Sequence, residues 1–237
     1  MTTVREVHYA ADGLDLTGTL AVPDGPGPFP LVLIAHEGPG LDDIQRNRAS
    51  DIAELGYVGF ALDYHGPLSP FTDRQLMMDR LGGLFANPDR TRALGLAALG
   101  AVRNDPSVDA TRVAAIGYCF GGTLALELGR AGADLKAMVG FHPGLTNVRP
   151  DDSRNITGRV LVCIGTDDPM IPPEHRVAFE AEMHHAGVRY DIHLYGGVQH
   201  SFTHPRASQA ALPGIAYNER AATQSWNAMR KLFAEVF

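Results

Sequence analysis

Cysteine is scarce in this chain. Of 237 residues only Cys119 and Cys163 are cysteine, so a framework of several disulfides is excluded. No Cys-x-x-Cys pair occurs, which removes the dithiol redox motif. Cys163 lies in the apolar run Val160-Leu161-Val162-Cys163-Ile164 and reads as a small, inert hydrophobe. Long apolar runs are missing too: residues 29–35 and 160–164 are of strand length and too short to span a bilayer. The opening Met1-Thr2-Thr3-Val4-Arg5-Glu6-Val7 lacks the apolar region of a signal peptide. The expected setting is therefore the reducing cytoplasm. There is no internal repeat, low-complexity tract or run of like charge. Positive charge is in deficit, with a formal net charge of −7 and a pI near 5.8, which argues against nucleic acid or an anionic membrane as partner.

What is present is a chain long and apolar enough (45% hydrophobic) for one compact α/β domain over 1–237, as a monomer or small homo-oligomer. Alternating apolar positions between Val4 and Val22 predict an antiparallel hairpin. From Leu31 onward short apolar strands alternate with amphipathic segments, the pattern of a mostly parallel sheet with helices on both faces. Strands are expected at 31–36, 57–64, 113–117, 135–141, 159–165 and 190–195, and helices at 43–55, 90–103, 120–129 and 174–186. A last helix over 218–236 places Trp226, Met229, Phe233 and Val236 on one face as core packing. Segment 66–88 has two readings: a loop and short helix over the carboxyl edge of the sheet, or a plain crossover.

The most informative stretch is Gly117-Tyr118-Cys119-Phe120-Gly121-Gly122, between an apolar strand and a helix start. It has the Gly-x-nucleophile-x-Gly form of a nucleophile elbow, a strained turn that lifts its central side chain above the sheet. Glycines flank the nucleophile because a side chain there would meet the turning backbone. Such a nucleophile needs a base and a group that orients the base, and on this kind of sheet they follow in the order nucleophile, acid, histidine. Asp168, in Gly165-Thr166-Asp167-Asp168-Pro169, and His200, in Gly197-Val198-Gln199-His200-Ser201, both follow expected strands in that order. Alone each reads as an ordinary turn residue; their conjunction favours a triad, with Asp167 as the second choice of acid. Oxyanion donors are expected from the Phe120 N–H and from the loop His36-Glu37-Gly38-Pro39-Gly40, through the Gly38 N–H. Glu37 is either a solvent-facing loop carboxylate or a modulator of the thiol, since a nearby carboxylate disfavours the thiolate.

These motifs, with Gly165-x-x-Asp168-x-x-Ile171-Pro172 and His200-Ser201-Phe202, resemble the dienelactone hydrolases (carboxymethylenebutenolidases) of the α/β-hydrolase superfamily over nearly the whole chain. The resemblance implies that Cys119 is nucleophile, His200 base, Asp168 orienter and Glu37 the glutamate that contacts the cysteine. It implies a small-molecule ester or lactone as substrate and no cofactor or metal. Family members acting on dienelactone carry an arginine four residues after the histidine; here that position is His204, followed by Pro205 and Arg206. Tyr64, His142, His204 and Arg206 are expected to line the substrate pocket from their places past strand ends, and Arg74 and Arg80 are candidates for a second substrate-binding arginine. The same oxyanion donors would serve a phosphoryl centre, making activated aryl esters and phosphotriesters test substrates. Two other classes compete: a non-catalytic binding protein on the same fold, and a metal hydrolase using His200 and His204 at i, i+4 spacing. Pro205 and Gly196-Gly197 argue that those two histidines sit in a loop, and adjacent His184 and His185 diverge on a helix.

Overall fold

The computed structural model describes residues 2–237, the side chain of Ala210 excepted. Strands β1 (Thr3–Ala11) and β2 (Leu14–Val22) form the expected hairpin. Their Asp12-Gly13 turn has both residues at positive φ (57° and 71°), as a tight two-residue connection requires. There follow β3 (Phe29–Ala35), α1 (Asp43–Glu54), β4 (Val58–Leu62), α2 (Arg74–Ala86), α3 (Pro88–Val102), β5 (Val108–Tyr118), α4 (Phe120–Arg130), β6 (Ala137–Phe141), β7 (Arg159–Gly165), α5 (Pro173–Ala186), β8 (Tyr190–Tyr195) and α6 (Glu219–Val236). The eight strands make one sheet in the order β1-β2-β4-β3-β5-β6-β7-β8. Only the β1–β2 and β2–β4 pairings are antiparallel; β4 through β8 run parallel.

Both faces of the parallel part are covered, which is why its strands read as unbroken apolar runs. Val32, Ile34, Ala114 and Ile116 pack with Ile52 of α1 and Met229 and Phe233 of α6. Their neighbours Leu31, Leu33, Val113 and Ala115 pack with Leu94 of α3, Leu124 of α4 and Phe179 of α5. On α6, Met229 and Phe233 are fully buried whereas Trp226 and Val236 lie half-buried at the border. Asp42, Asp73, Asn87 and Asn218 cap α1, α2, α3 and α6, each accepting a backbone N–H of the first turn.

Several element ends differ from expectation for identifiable reasons. Strand β5 starts five residues early because Val108 and Asp109 pair with Phe29 and Pro30 before a register shift. Strand β4 stops at Leu62, since the Asp63 carboxylate accepts the His65 and Gly66 N–H groups and turns the chain out of the sheet. Segment 66–88 holds a short 3-10 turn at Gly66–Leu68 and then α2, which lies over the strands' carboxyl ends as a wall of the cavity described below. No helix among the described residues is long and apolar enough to cross a membrane.

Candidate active site

The site is built where β5, in the middle of the sheet, runs out. Strand β5 lies between β3 and β6, with Ala35, Gly117 and Gly140 in register. It ends at Tyr118, α4 begins at Phe120, and Cys119 between them has φ 52° and ψ −121°, a conformation L-residues adopt only under strain. The Cys119 N–H is shared by the Phe141 carbonyl (3.0 Å) and His142 Nδ1 (3.1 Å). A Cβ on Gly117 would overlap the Gly121 carbonyl, and one on Gly121 would overlap the Ala35 and His36 carbonyls. Sterics therefore demand both glycines.

Asp168 and His200 leave the ends of β7 and β8 and meet beside Cys119. The His200 Nδ1–H donates to Asp168 Oδ2 at 2.7 Å, and Asp168 Oδ1 accepts the Met170 N–H at 2.9 Å. Both residues are buried, whereas Asp167 is exposed and its carboxylate accepts from the neighbouring Thr166 hydroxyl at 3.0 Å. The structure thus joins His200 to the first-choice acid. His200 Nε2 is buried with no hydrogen-bond partner and belongs to the same cavity wall as Cys119. Burial pushes the His200 pKa down, but the charge Cys119 carries when ionised and the Asp168 hydrogen bond outweigh it and hold it well above the ordinary value.

A second polar layer, joining His142 to Thr203 and Glu37, supports this one. Because His142 Nδ1 accepts from Cys119 N–H, its proton sits on Nε2, which donates to Thr203 Oγ1 at 2.9 Å and lies 3.6 Å from Glu37 Oε1. Burial, followed by the charges of His200 and His204, keeps His142 well below the usual histidine range, so it stays neutral. Its ring packs edge-on against His200, centroids 4.9 Å apart. Cys119, His142 and Ser201 all have positive φ (52°, 43° and 53°), a concentration of backbone strain at the site.

Glu37 is buried (8% exposed), not turned to solvent. Its Oε2 accepts from Ser201 Oγ at 3.4 Å and its Oε1 has no partner, so the hydrogen bond it makes is to Ser201 rather than to Cys119. Burial raises the Glu37 pKa against the opposing pull of His204 and His200. A carboxyl with a raised folded-state pKa favours the native state below its unfolded value and loses that advantage as pH rises through the folded value. Glu37→Gln is therefore expected to stabilise the protein by about 1 kcal/mol or more at pH 8, with no gain below pH ~4. Urea melts of both proteins across that range check this.

The oxyanion loop is held from behind. The Glu37–Gly38 peptide carries the candidate Gly38 N–H, and its carbonyl oxygen accepts from His36 Nδ1 (2.6 Å) and the Tyr64 hydroxyl (3.2 Å). Tyr64 also donates to the His36 carbonyl at 2.8 Å, and His65 Nε2 donates to the Gly38 carbonyl at 3.0 Å. Burial drives the His65 pKa to about 3, so this donor is a neutral imidazole. With its carbonyl gripped, the Glu37–Gly38 peptide is kept from flipping. Phe120 N–H, in the first turn of α4, has no intrahelical acceptor. Gly38 and Phe120 both line the cavity.

Tyr64 and His142 correct an expectation. Both are completely buried and neither lines the cavity, so they brace the oxyanion loop and the elbow instead of touching substrate. A place past a strand end fixes where the backbone goes, not where the side chain points. Tyr64 folds back onto the His36 ring, centroids 3.7 Å apart, and the positive φ of His142 tucks its ring under the elbow. Arg80 likewise turns away to Asp12 and the Tyr64 carbonyl, whereas Arg74 lines the cavity mouth.

The cavity measures about 520 Å³ and has Cys119 and His200 in its wall. Met77, Leu81 and Phe85 of α2 line it together with Ile171, Leu212 and Ile215, and His204 and Arg206 border it. Among the described residues there is no group of three or more His, Cys, Asp or Glu side chains arranged to hold a metal ion. His200 and His204 occupy a turn, not a helix, and bond to separate carboxylates, Asp168 and Asp42. His184 and His185 are exposed on α5. Cys163 is buried and free, with its thiol pushed up to about 12 by burial.

A mostly parallel eight-stranded sheet with an antiparallel leading hairpin, helices on both faces and a Gly-x-Cys-x-Gly turn at its centre is the α/β-hydrolase architecture. The sequence model of the dienelactone hydrolase family matches residues 16–237, and the chain belongs to that family of ester and lactone hydrolases. Among solved structures, one named m3DLH is 42% identical, covers 100% of this chain and 99% of its own, and superposes with a TM-score of 0.96. The crystal structure of P91, a dienelactone hydrolase-like promiscuous phosphotriesterase from metagenomic libraries, is 38% identical with the same coverage and a TM-score of 0.95. A Bradyrhizobium protein named "Probable 2-oxo-3-(5-oxofuran-2-ylidene)propanoate lactonase" is 27% identical over 93% of this chain and 90% of its own length.

Proposed function

We propose that the enzyme hydrolyses carboxylic esters or lactones through a thioester on Cys119, with His200 as base and Asp168 as its orienting acid. The observation that carries this reading is the junction at one cavity of a strained elbow cysteine and a histidine whose far nitrogen is bound to a buried carboxylate at 2.7 Å. Sγ attacks the carbonyl carbon and its proton passes to His200 Nε2. The oxyanion is held by the Phe120 and Gly38 N–H groups. Collapse breaks the carbon–oxygen bond of the ester, and His200 gives the proton to the departing alcohol or phenol. Water, deprotonated by His200, then attacks the thioester and releases the acid, returning the proton to sulfur. Glu37, the proposed modulator of the thiol, lies on the same cavity wall as Cys119 and is held there by its hydrogen bond to Ser201.

Acid quenching during turnover of 4-nitrophenyl acetate, followed by peptide mass spectrometry, tests the intermediate. One acetyl group on the Cys119 peptide, absent when Cys119 is alkylated beforehand, is the expected result. An acetyl group on another residue, or none while turnover proceeds, would refute it.

The 38% identity to a promiscuous phosphotriesterase over the full chain favours a second, side reaction at the same groups: hydrolysis of activated phosphotriesters. Release of 4-nitrophenolate from diethyl 4-nitrophenyl phosphate, blocked by the same alkylation, is the matching measurement.

A further inference from the structure

Two of the basic groups that border the cavity, His204 and Arg206, are already held by a carboxylate. Asp42 Oδ2 accepts from Arg206 Nη2 at 3.0 Å and pairs with His204 Nε2 at 3.3 Å, while its Oδ1 caps α1 by accepting the Gln45 N–H at 3.0 Å. One carboxylate thus engages both basic side chains that follow His200 and is itself fixed to a helix N-terminus. These bonds outweigh partial burial and hold the Asp42 pKa down at about 2, so the group is ionised at any working pH. The one carboxylate on the cavity wall itself, Glu37, has an oxygen without a partner. Met77, Leu81, Phe85, Ile171, Leu212 and Ile215 give the wall its apolar part, while Arg74, Thr146, His175 and Ser201 add polar groups to it.

We propose that Asp42 is a specificity-determining residue: by engaging Arg206 and His204 it makes the acyl pocket select uncharged, apolar esters and lactones and reject acyl groups that end in a carboxylate. The inference rests on the hydrolase reading above and adds the substrate class. An apolar acyl chain gains from leaving water for this wall. A carboxylate there loses its hydration, finds the guanidinium already paired, and meets Glu37, so its desolvation is not compensated. Arg74 does not reverse the balance. It is the exposed first residue of α2, and the Arg206 side chain is itself 48% exposed, so solvent screens both charges; what sets the His204 and Arg206 end of the cavity apart is the Asp42 carboxylate fixed beside it.

The test uses two esters of the same acid, 4-nitrophenyl methyl adipate and 4-nitrophenyl hydrogen adipate, which differ in one charge. For wild type at pH 7.5 the neutral ester is expected to have a kcat/KM about 100-fold higher, a discrimination typical of an uncompensated buried charge. Asp42→Asn, which keeps the helix cap but not the charge, is expected to cut that ratio by about 10-fold, chiefly through KM for the anionic ester. Asp42→Asn/Arg206→Ala should restore the wild-type ratio, because the gain comes from a freed guanidinium. Asp42→Ser, also a good cap, gives the same reading should the asparagine variant fold poorly.

A wild-type ratio near one, or a ratio unmoved in both folded Asp42 variants, overturns the proposal. So does a preference for the anionic ester that disappears in Arg74→Ala, which would move anion recognition to the mouth. Failure of the underlying hydrolase reading looks different: both esters would be turned over equally well after Cys119 is alkylated.

Discussion

Cys119→Ala is expected to lower kcat for 4-nitrophenyl acetate by at least about 10⁴-fold, the scale seen when the nucleophile of a concerted catalytic set is removed. The fold should survive the change. Alanine at φ 52° carries the same backbone strain as cysteine, the N–H bonds to Phe141 and His142 use no side-chain atom, and α4 starts one residue later either way. Cys119→Ser is the informative companion. It restores a nucleophile in the same place, but a hydroxyl gives up its proton far less readily than a thiol, and His200 is set up beside a sulfur. About 10²-fold loss or more is expected for serine, with the remaining activity above that of alanine. Stopped assays of 4-nitrophenolate release, with a chelator present and folding checked by circular dichroism, decide the matter. An alanine variant that keeps a tenth of the wild-type rate would remove Cys119 from the mechanism.

Asp168→Asn carries the next largest effect, a fall in kcat/KM of about 10² to 10⁴-fold. Asparagine nearly matches the shape, but brings no charge to steady an imidazolium and can turn its NH₂ toward Nδ1, forcing the proton onto Nε2, the nitrogen that must accept from sulfur. Removing the Asp168 hydrogen bond also removes one of the contributions that lift the His200 pKa, so its imidazole proton signal should titrate at lower pH in the variant. The linked stability has a definite sign. The native state holds the His200 proton more tightly than the unfolded chain, whose value is near 6.5, so the pairing stabilises fully below that pH and its contribution is lost as pH rises through the folded value. Wild type and variant should differ most in melting temperature at mildly acidic pH and converge in alkali. A variant with unchanged kinetics would show that Asp168 is merely a turn residue.

The sequence disclosed the frame and the candidate reacting groups because both are local patterns. Apolar runs broken by turns mark parallel strands, and Gly117, Cys119 and Gly121 are demanded by one tight turn whose sterics leave no other choice. Asp168 and His200 were legible because each directly follows a strand in a known order. Side-chain direction was not legible. Tyr64 and His142 leave strands at the right edge yet point back into the protein, a fact fixed by a stacked ring and a positive φ that no periodicity encodes. Asp42 was invisible for a different reason. In the chain it is a helix cap, and its partners His204 and Arg206 come together with it only after more than 160 positions of intervening fold. Ser201 and Thr203 stand beside His200 in the sequence, but their hydroxyls acquire meaning only from Glu37 and His142, which arrive from other strands.

The position of α2 has a consequence for how such an enzyme diversifies. Every proposed reacting group comes from a strand end, whereas one apolar wall of the pocket, Met77, Leu81 and Phe85, comes from a single helix that supplies none of them. Chemistry and taste are therefore carried by separate stretches of the gene. Helix α2 is anchored by Leu84, 1% exposed in the core, by Leu81, buried under the Gly38 loop, and by Phe85, edge-on to Phe120 at 4.8 Å. Exchanging its other pocket-facing residues while keeping those three would reshape one wall of the pocket within a single continuous segment, leaving the elbow and its proposed partners as an inherited engine.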